Sequence, residues 1–319
     1  MRRILSVILI FSGLLIPVQA DTIRWVSFDV PYESLEYAME QDIATFEKEP
    51  HISWIDILAV AACRTGGKCG LSSVKKACSE LKSGKSPEEI LKDLYRYYDY
   101  YHSAYTAVLG GLLGSYAIEI GGREVCTYGL KAFSPIAEGY GYSHSADFGN
   151  SRSFGFQRKH LGNDIMGSLG TPIIAVEGGV VEEMGWNRYG GWRIGIRSFD
   201  SRRYYYYAHL QKDTPFAPGL AKGDIVSAGD LLGFMGRTGY SDQENVNNIT
   251  AVHLHFGMQL VFDESQKECL SEIWVDVYDI VRLLHRHRST VQKTASGWQR
   301  KYPFRDLDLD DLSVVSDSP

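Results

Sequence analysis

The chain has 319 residues and a formal net charge of −6. Hydrophobic residues make up 44% and charged residues 23%, an ordinary globular balance that supports a buried core and excludes wholesale disorder. Lys and Arg are not in excess, which argues against a nucleic-acid partner and against a cationic module that clings to anionic walls or membranes.

Residues 1–20 are laid out as a secretory signal peptide. Arg2 and Arg3 precede an apolar run from Ile4 to Ile16, and Val18-Gln19-Ala20 offers small residues for cleavage. The run is short for a spanning helix, so no stable membrane insertion is expected after cleavage. The other reading is an uncleaved N-terminal anchor, which also places the remainder outside the cytoplasm. No Cys follows the run, so lipid anchoring is not suggested.

From Pro31 to about Ala117 the pattern is helical. Leu35, Met39, Ile43 and Phe46 recur at helical spacing, as do Ile52, Ile55, Leu58 and Ala59. Gly66-Gly67 is a stop signal. Ser86-Pro87-Glu88-Glu89 predicts a capping box. The helix it opens carries Tyr95, Tyr97, Tyr98, Tyr100, Tyr101 and Tyr105, expected to pack helices together with their hydroxyls in water. Five cysteines (Cys63, Cys69, Cys78, Cys126 and Cys269) leave one over if disulfides form, and lack the C-x-x-C pairing of a zinc ribbon.

Residues 133–156 read as a long ordered loop rich in Gly, Ser and Tyr. Beyond it, short β-branched and aromatic runs broken by Gly predict an antiparallel all-β domain, with a tight hairpin at Gly178-Gly179. A helix is expected over Val275–Leu284. Residues 291–319, most acidic from Asp306, are expected to form a disordered tail. The predicted fold is therefore α+β with two domains: an N-terminal all-α domain over 21–122 and an antiparallel all-β domain over 123–290, its core at 156–262.

Three strings carry chemistry: Lys159-His160-Leu161-Gly162-Asn163-Asp164, Tyr207-Ala208-His209-Leu210 and His253-Leu254-His255-Phe256. Residues i and i+2 of a strand share a face, so His253 and His255 project together. His and Asp suit a hydrolytic zinc ion with three protein ligands and one position left for water. A second H-x-H, His285 and His287, sits in a helix among Arg residues and is predicted to be a solvated helix end. His51, His102 and His144 have no partner pattern. Some of Tyr204–Tyr207 are expected to fill the sheet core.

H-x-x-x-D, then Y-x-H-L, then H-L-H-F resembles the lysostaphin/LytM-type zinc endopeptidases. The framework strings Gly170–Ala175, Gly178–Val181, Gly223–Asp230 and Gly236–Ser241 occur in the same order. The resemblance covers about residues 156–260. It implies a groove-bearing antiparallel β-fold, Zn2+ held by His160, Asp164 and His255, and catalytic roles for His209 and His253. It also implies hydrolysis of peptidoglycan peptides, outside the cytoplasm. The alternatives are a catalytically silent scaffold or binding protein of the same fold at the cell envelope, and a zinc amidase or carboxypeptidase. Three departures stand out: Asp242–Val252 lengthens the groove rim, Phe154 and Phe156 stand where some members place a Tyr, and no wall-binding domain is recognisable. The helices are an expected cover for the groove.

Overall fold

The structure, a computed structural model, describes residues 23–267, 271–295 and 297–308. The predicted signal segment, Cys269 and residues 309–319 of the acidic end lie outside them.

The N-terminal part is helical: α1 (Tyr32–Thr45), α2 (Trp54–Thr65), α3 (Leu71–Lys82), α4 (Pro87–Leu91) and α5 (Tyr98–Leu109). Ser53 caps α2 by accepting from Ile55 N, and Gly66 ends it in the left-handed conformation. The capping box at Ser86 and Glu89 forms as predicted. The helix it opens breaks at once into a 3-10 stretch, Lys92–Tyr97, before α5 resumes. In α1, Leu35 and Met39 are buried, whereas Ile43, and Phe46 just past the helix end, stay partly exposed. The tyrosines are less wet than expected. Tyr105 is fully buried against Cys69 Sγ, 3.5 Å away, and the Tyr98 hydroxyl donates to Asp56 at 2.6 Å. Cys63, Cys69 and Cys78 are buried free thiols, and burial pushes Cys63 and Cys69 up to about 11.

The helical pattern ends earlier than predicted. β1 (Leu113–Ile120) and β2 (Arg123–Leu130) form a hairpin across Gly121-Gly122. Alternation wins over the helical reading because Ala117 is buried while its neighbours half-face water.

Next come β3 (Ser143–His144), β4 (Ser151–Arg152), β5 (Arg158–Lys159), β6 (Asn163–Met166), β7 (Pro172–Ile174), β8 (Gly179–Asn187), β9 (Gly191–Ser198) and β10 (Arg203–Ala208). They are followed by β11 (Ile225–Val226), β12 (Leu231–Phe234), β13 (His253–Leu260), β14 (Ile273–Val275) and α6 (Tyr278–Leu284). The main sheet is antiparallel in the order β11-β8-β9-β10-β13-β6-β3, with β14 also on β13. Gly178-Gly179 makes no hairpin: β7 pairs with β12, and β8 with β9 and β11. Gly179 serves close packing instead, since a Cβ there would stand 2.1 Å from Arg197 O.

The predicted tail is a correction. β15 (Val291–Thr294) and β16 (Gly297–Arg300) form a hairpin, and β17 (Phe304–Asp306) adds to β1. Phe304 anchors this segment by packing on Phe133 and Tyr116. Lys131 holds Asp306 at 2.9 Å and Asp308 at 2.7 Å.

One hydrophobic cluster runs through helices and sheet. Ile194, Ile196, Tyr205, Tyr207, Leu254, Phe256, Met258 and Leu260 supply the sheet's back face to it. Arg203, at the start of β10, ties the two parts together. It is 1% exposed, pairs with Glu177 and Asp200, and donates to Ala107 O at the end of α5, 2.8 Å away. The helices therefore stand behind the sheet, and its other face is left to the groove.

Candidate metal centre and groove

Two-residue alternation places the site. On β13, His253, His255, Gly257 and Gln259 take the face opposite Leu254 and Phe256. His255 pairs in register with Asp164 on β6 and with Ala208 on β10, so three strands deliver their ends to one spot. His160 enters from the segment before β6. Gly162 lets that segment cross closely, because a Cβ there would lie 2.6 Å from Phe256 O and 2.9 Å from the His255 ring.

The three residues converge tightly. His160 Nε2 is 2.9 Å from Asp164 Oδ1 and 2.8 Å from His255 Nδ1, and His255 Nδ1 is 3.2 Å from Asp164 Oδ1. Together they form a group able to hold a metal ion, each offering one ligand atom. His160 Nδ1 donates to Asp147 O at 3.1 Å, which leaves its Nε2 lone pair facing the group. Three lone-pair donors this close repel one another unless a cation or shared protons lie between them. That donor chemistry fits a divalent ion. Burial opposes ionisation of Asp164, yet the imidazoles of His160, His255 and His253 around it hold its carboxyl well below the usual carboxylate range. Burial pushes the His255 imidazole down.

Sequence reasoning missed the residues that hold this group in place. Arg152 donates to Asp164 Oδ2 at 3.0 Å and to Asp147 Oδ2 at 2.9 Å. Asp147 Oδ1 accepts from Asn163 Nδ2 at 3.2 Å and from Asp164 N at 3.3 Å. Both lie in the stretch first read as patternless loop. The chain carries no periodicity there to flag them.

His209 and His253 stand beside the group. Their ring centroids are 4.8 Å apart, and His253 Nε2 is 3.6 Å from Asp164 Oδ1. Both are pinned by Nδ1, His209 to Thr238 O at 2.9 Å and His253 to Ala251 O at 3.0 Å. Each Nε2 is thereby free for other work. His209 occupies a left-handed backbone conformation, φ 62°, which costs a non-glycine residue about 1–3 kcal/mol. Burial, then the neighbouring His253 and His255, push its imidazole well below the ordinary value, so it stays neutral near pH 7.

The groove in front is about 620 Å³. Tyr204 and Tyr206 line it while Tyr205 and Tyr207 are fully buried, as strand alternation predicts. Among the described residues none before Arg152 lines it, so α1–α5 do not cover it. None of residues 242–252 lines it either. That loop is tied sideways instead: Asn245 accepts from Trp192 Nε1 at 2.9 Å and Asp242 pairs with Arg188. Phe154 stacks on Tyr240 at 5.0 Å, and Phe156 meets Tyr189 edge-on at 5.9 Å.

The second H-x-H stays apart from the group, but not as a solvated end. His285 is exposed against Tyr142, whereas His287 is half-buried, stacked on Phe133 at 3.9 Å and donating to Ala132 O at 2.9 Å. His51, His102 and His144 lie elsewhere: His51 on Asp42, His102 on Asp56, and His144 beside Tyr278.

The sequence profile of peptidase family M23 matches residues 158–267. Over 117 residues the chain is 43% identical to the L-Ala–D-Glu endopeptidase of Bacillus subtilis, covering 37% of this chain and 34% of that protein. It is 39% identical over 98 residues to lysostaphin of Staphylococcus simulans, covering 30% of this chain and 17% of that protein. The chain thus matches about a third or less of these relatives' length. A Ruminococcus gnavus structure named for a glycyl-glycine endopeptidase, LytM, superposes with a TM-score of 0.53 at 25% identity. That match covers 82% of this chain and 89% of the other. Its coverage reaches well past the profile match, so the likeness of fold includes more than the groove-bearing sheet. Residues 158–267 thus carry a peptidase family M23 domain of the lysostaphin/LytM type.

Proposed function

We propose that the chain is an exported, zinc-dependent endopeptidase that hydrolyses peptide bonds in peptidoglycan stem or cross-bridge peptides. The observation that carries this is the convergence of His160, Asp164 and His255 on one point of an open groove, with two further imidazoles fixed beside it. Tetrahedral ligands about 2.0–2.1 Å from zinc stand about 3.3 Å apart. The present 2.8–3.2 Å spacing is close to that arrangement. The relatives named for L-Ala–D-Glu and glycyl-glycine bonds support the stem and bridge peptides respectively as substrates. The N-terminal apolar segment supports export.

Zinc held there would supply a water of pKa near 7 and polarise the scissile carbonyl. The chain's own groups do the rest. His209, kept neutral by burial, accepts a proton at Nε2 and afterwards returns it to the departing amine. His253 presents Nε2 beside the ligand group; with Nδ1 already donating to Ala251 O, its imidazolium form is the one that would donate from Nε2 to the carbonyl oxygen as charge builds on it. Arg152 and Asp147 keep the carboxylate and the His160 ring oriented. Tyr204 and Tyr206 give the peptide an aromatic floor.

The test is digestion of purified sacculi by the full chain, with fragments read by mass. New amino termini are expected with zinc, and their loss on chelation or in His209→Ala, where the rate should fall about 10²–10⁴-fold. Zinc-loaded protein that releases no new amino termini overturns the proposal.

A further inference from the structure

Most cations lining the groove are already neutralised. Arg152 pairs with Asp147 and Asp164, Arg193 with Glu183, and Lys267 with Glu182 and Glu264. Arg158 differs. It lines the same groove, yet no carboxylate among the described residues stands within ion-pair distance of it. Among the described residues its guanidinium donates one hydrogen bond, from a terminal nitrogen to Phe154 O at 3.2 Å. The guanidinium rests instead on two tyrosine rings, 4.8 Å from the centre of Tyr189 and 5.2 Å from that of Tyr240. Both rings line the groove, and Tyr240 also lies 5.8 Å from the His209 ring. Arg158 is therefore one aromatic ring away from the candidate centre.

Such a guanidinium is half-buried, held against two rings, and short of partners for its remaining N–H groups. A planar fork fixed this way suits bidentate capture of a carboxylate. Exposed Lys159 next to it adds positive charge. The chain carries a net charge of −6, so an unmatched cation at this spot is not a by-product of basic composition.

We infer that Arg158 forms a subsite for a free carboxylate that the substrate carries beside the bond to be cut. The inference rests on the endopeptidase reading above and narrows it. It favours an acidic stem peptide, in which D-Glu bears a free carboxylate, over an uncharged glycine bridge.

The experiment compares two synthetic stem peptides that differ only at D-Glu, one with the free α-carboxylate and one with the carboxamide. The full zinc-loaded chain is expected to prefer the carboxylate about 10–100-fold in kcat/KM, the worth of a charge-assisted hydrogen bond. Arg158→Ala should bring that ratio close to one, and Arg158→Lys should keep part of it. An arginine that merely braces the rim would lower both rates alike and leave the ratio standing. Equal cleavage of both peptides by the wild type overturns the subsite and leaves the endopeptidase intact, with no variant needed. A preference that survives in Arg158→Ala, with zinc content and circular dichroism unchanged, overturns it too. Failure of the wild type to cut sacculi or either peptide defeats both readings.

Discussion

Thr238 places no atom in the proposed chemistry, yet it shapes the position of His209. Its backbone carbonyl accepts the His209 Nδ1 proton, while its hydroxyl accepts from Trp192 N at 3.1 Å and donates to Leu210 O at 2.6 Å. The side chain is fully buried. Thr238→Val keeps the shape and removes the hydroxyl, stranding a buried N–H and a buried carbonyl. The expected cost is about 1–3 kcal/mol, with kcat lowered more than KM is raised, because His209 is held in a strained conformation that only its neighbours sustain. Thermal melting and steady-state kinetics on one substrate check both halves; an unchanged kcat would remove Thr238 from the positioning of His209. His253 and His255 could be paired from strand alternation, whereas His160, Asp164 and His209 were legible through the order of the three strings that resembles the lysostaphin/LytM type. Asp147, Arg152 and the Thr238 carbonyl were not. A backbone acceptor leaves no residue-type signature, and residues in an aperiodic segment acquire neighbours only through the fold.

At the level of elements, β8, β9, β10 and β13 could be read from alternation because one face is apolar and the other lines the groove. β1 and β15–β17 could not. β17 is three residues long and commits only Phe304 to the core, too little pattern to separate from a polar tail. The seam between helices and sheet was equally hidden, since it depends on a buried ionic group. Arg203 joins Glu177, Asp200 and the carbonyl end of α5, and Gly111 makes room for it: a Cβ there would lie 1.8 Å from Glu177 Oε1. Removing one partner of a buried pair leaves the other charge stranded, so Arg203→Met should cost about 3–5 kcal/mol. The double variant Arg203→Met/Glu177→Leu should be less destabilised than the single one. Denaturant titration of the two proteins tests this, and a double variant no more stable than Arg203→Met would show that the helix-end contact, rather than the ion pair, sets the cost.

For the whole molecule, several buried imidazoles and one carboxylate push stability the same way with pH. Burial lowers His144, His287, His209 and His255, each below the ordinary value of about 6.5. Above that pH both folded and unfolded chains hold these rings neutral, and they contribute no slope. Below it the unfolded chain binds protons first, so stability falls with pH until the folded imidazoles titrate as well. Asp164, held low in the folded state, adds its loss at more acid pH as the unfolded carboxyl protonates first. In chelator the melting temperature should therefore be nearly flat from pH 8 to about 6.5 and decline toward pH 5. His287→Phe keeps the stack on Phe133, gives up the bond to Ala132 O, and removes one titrating ring. It should melt lower than wild type near pH 8 and lose less on going to pH 5. Zinc should raise the melting point near pH 7.5, because binding to the folded chain alone stabilises it. That gain should shrink as the pH drops, since the ligands must be deprotonated to hold the ion. Calorimetric scans with and without zinc across this range decide the matter. A zinc-induced shift that is as large at pH 5 as at pH 7.5 would be incompatible with an ion held by two imidazoles and one carboxylate.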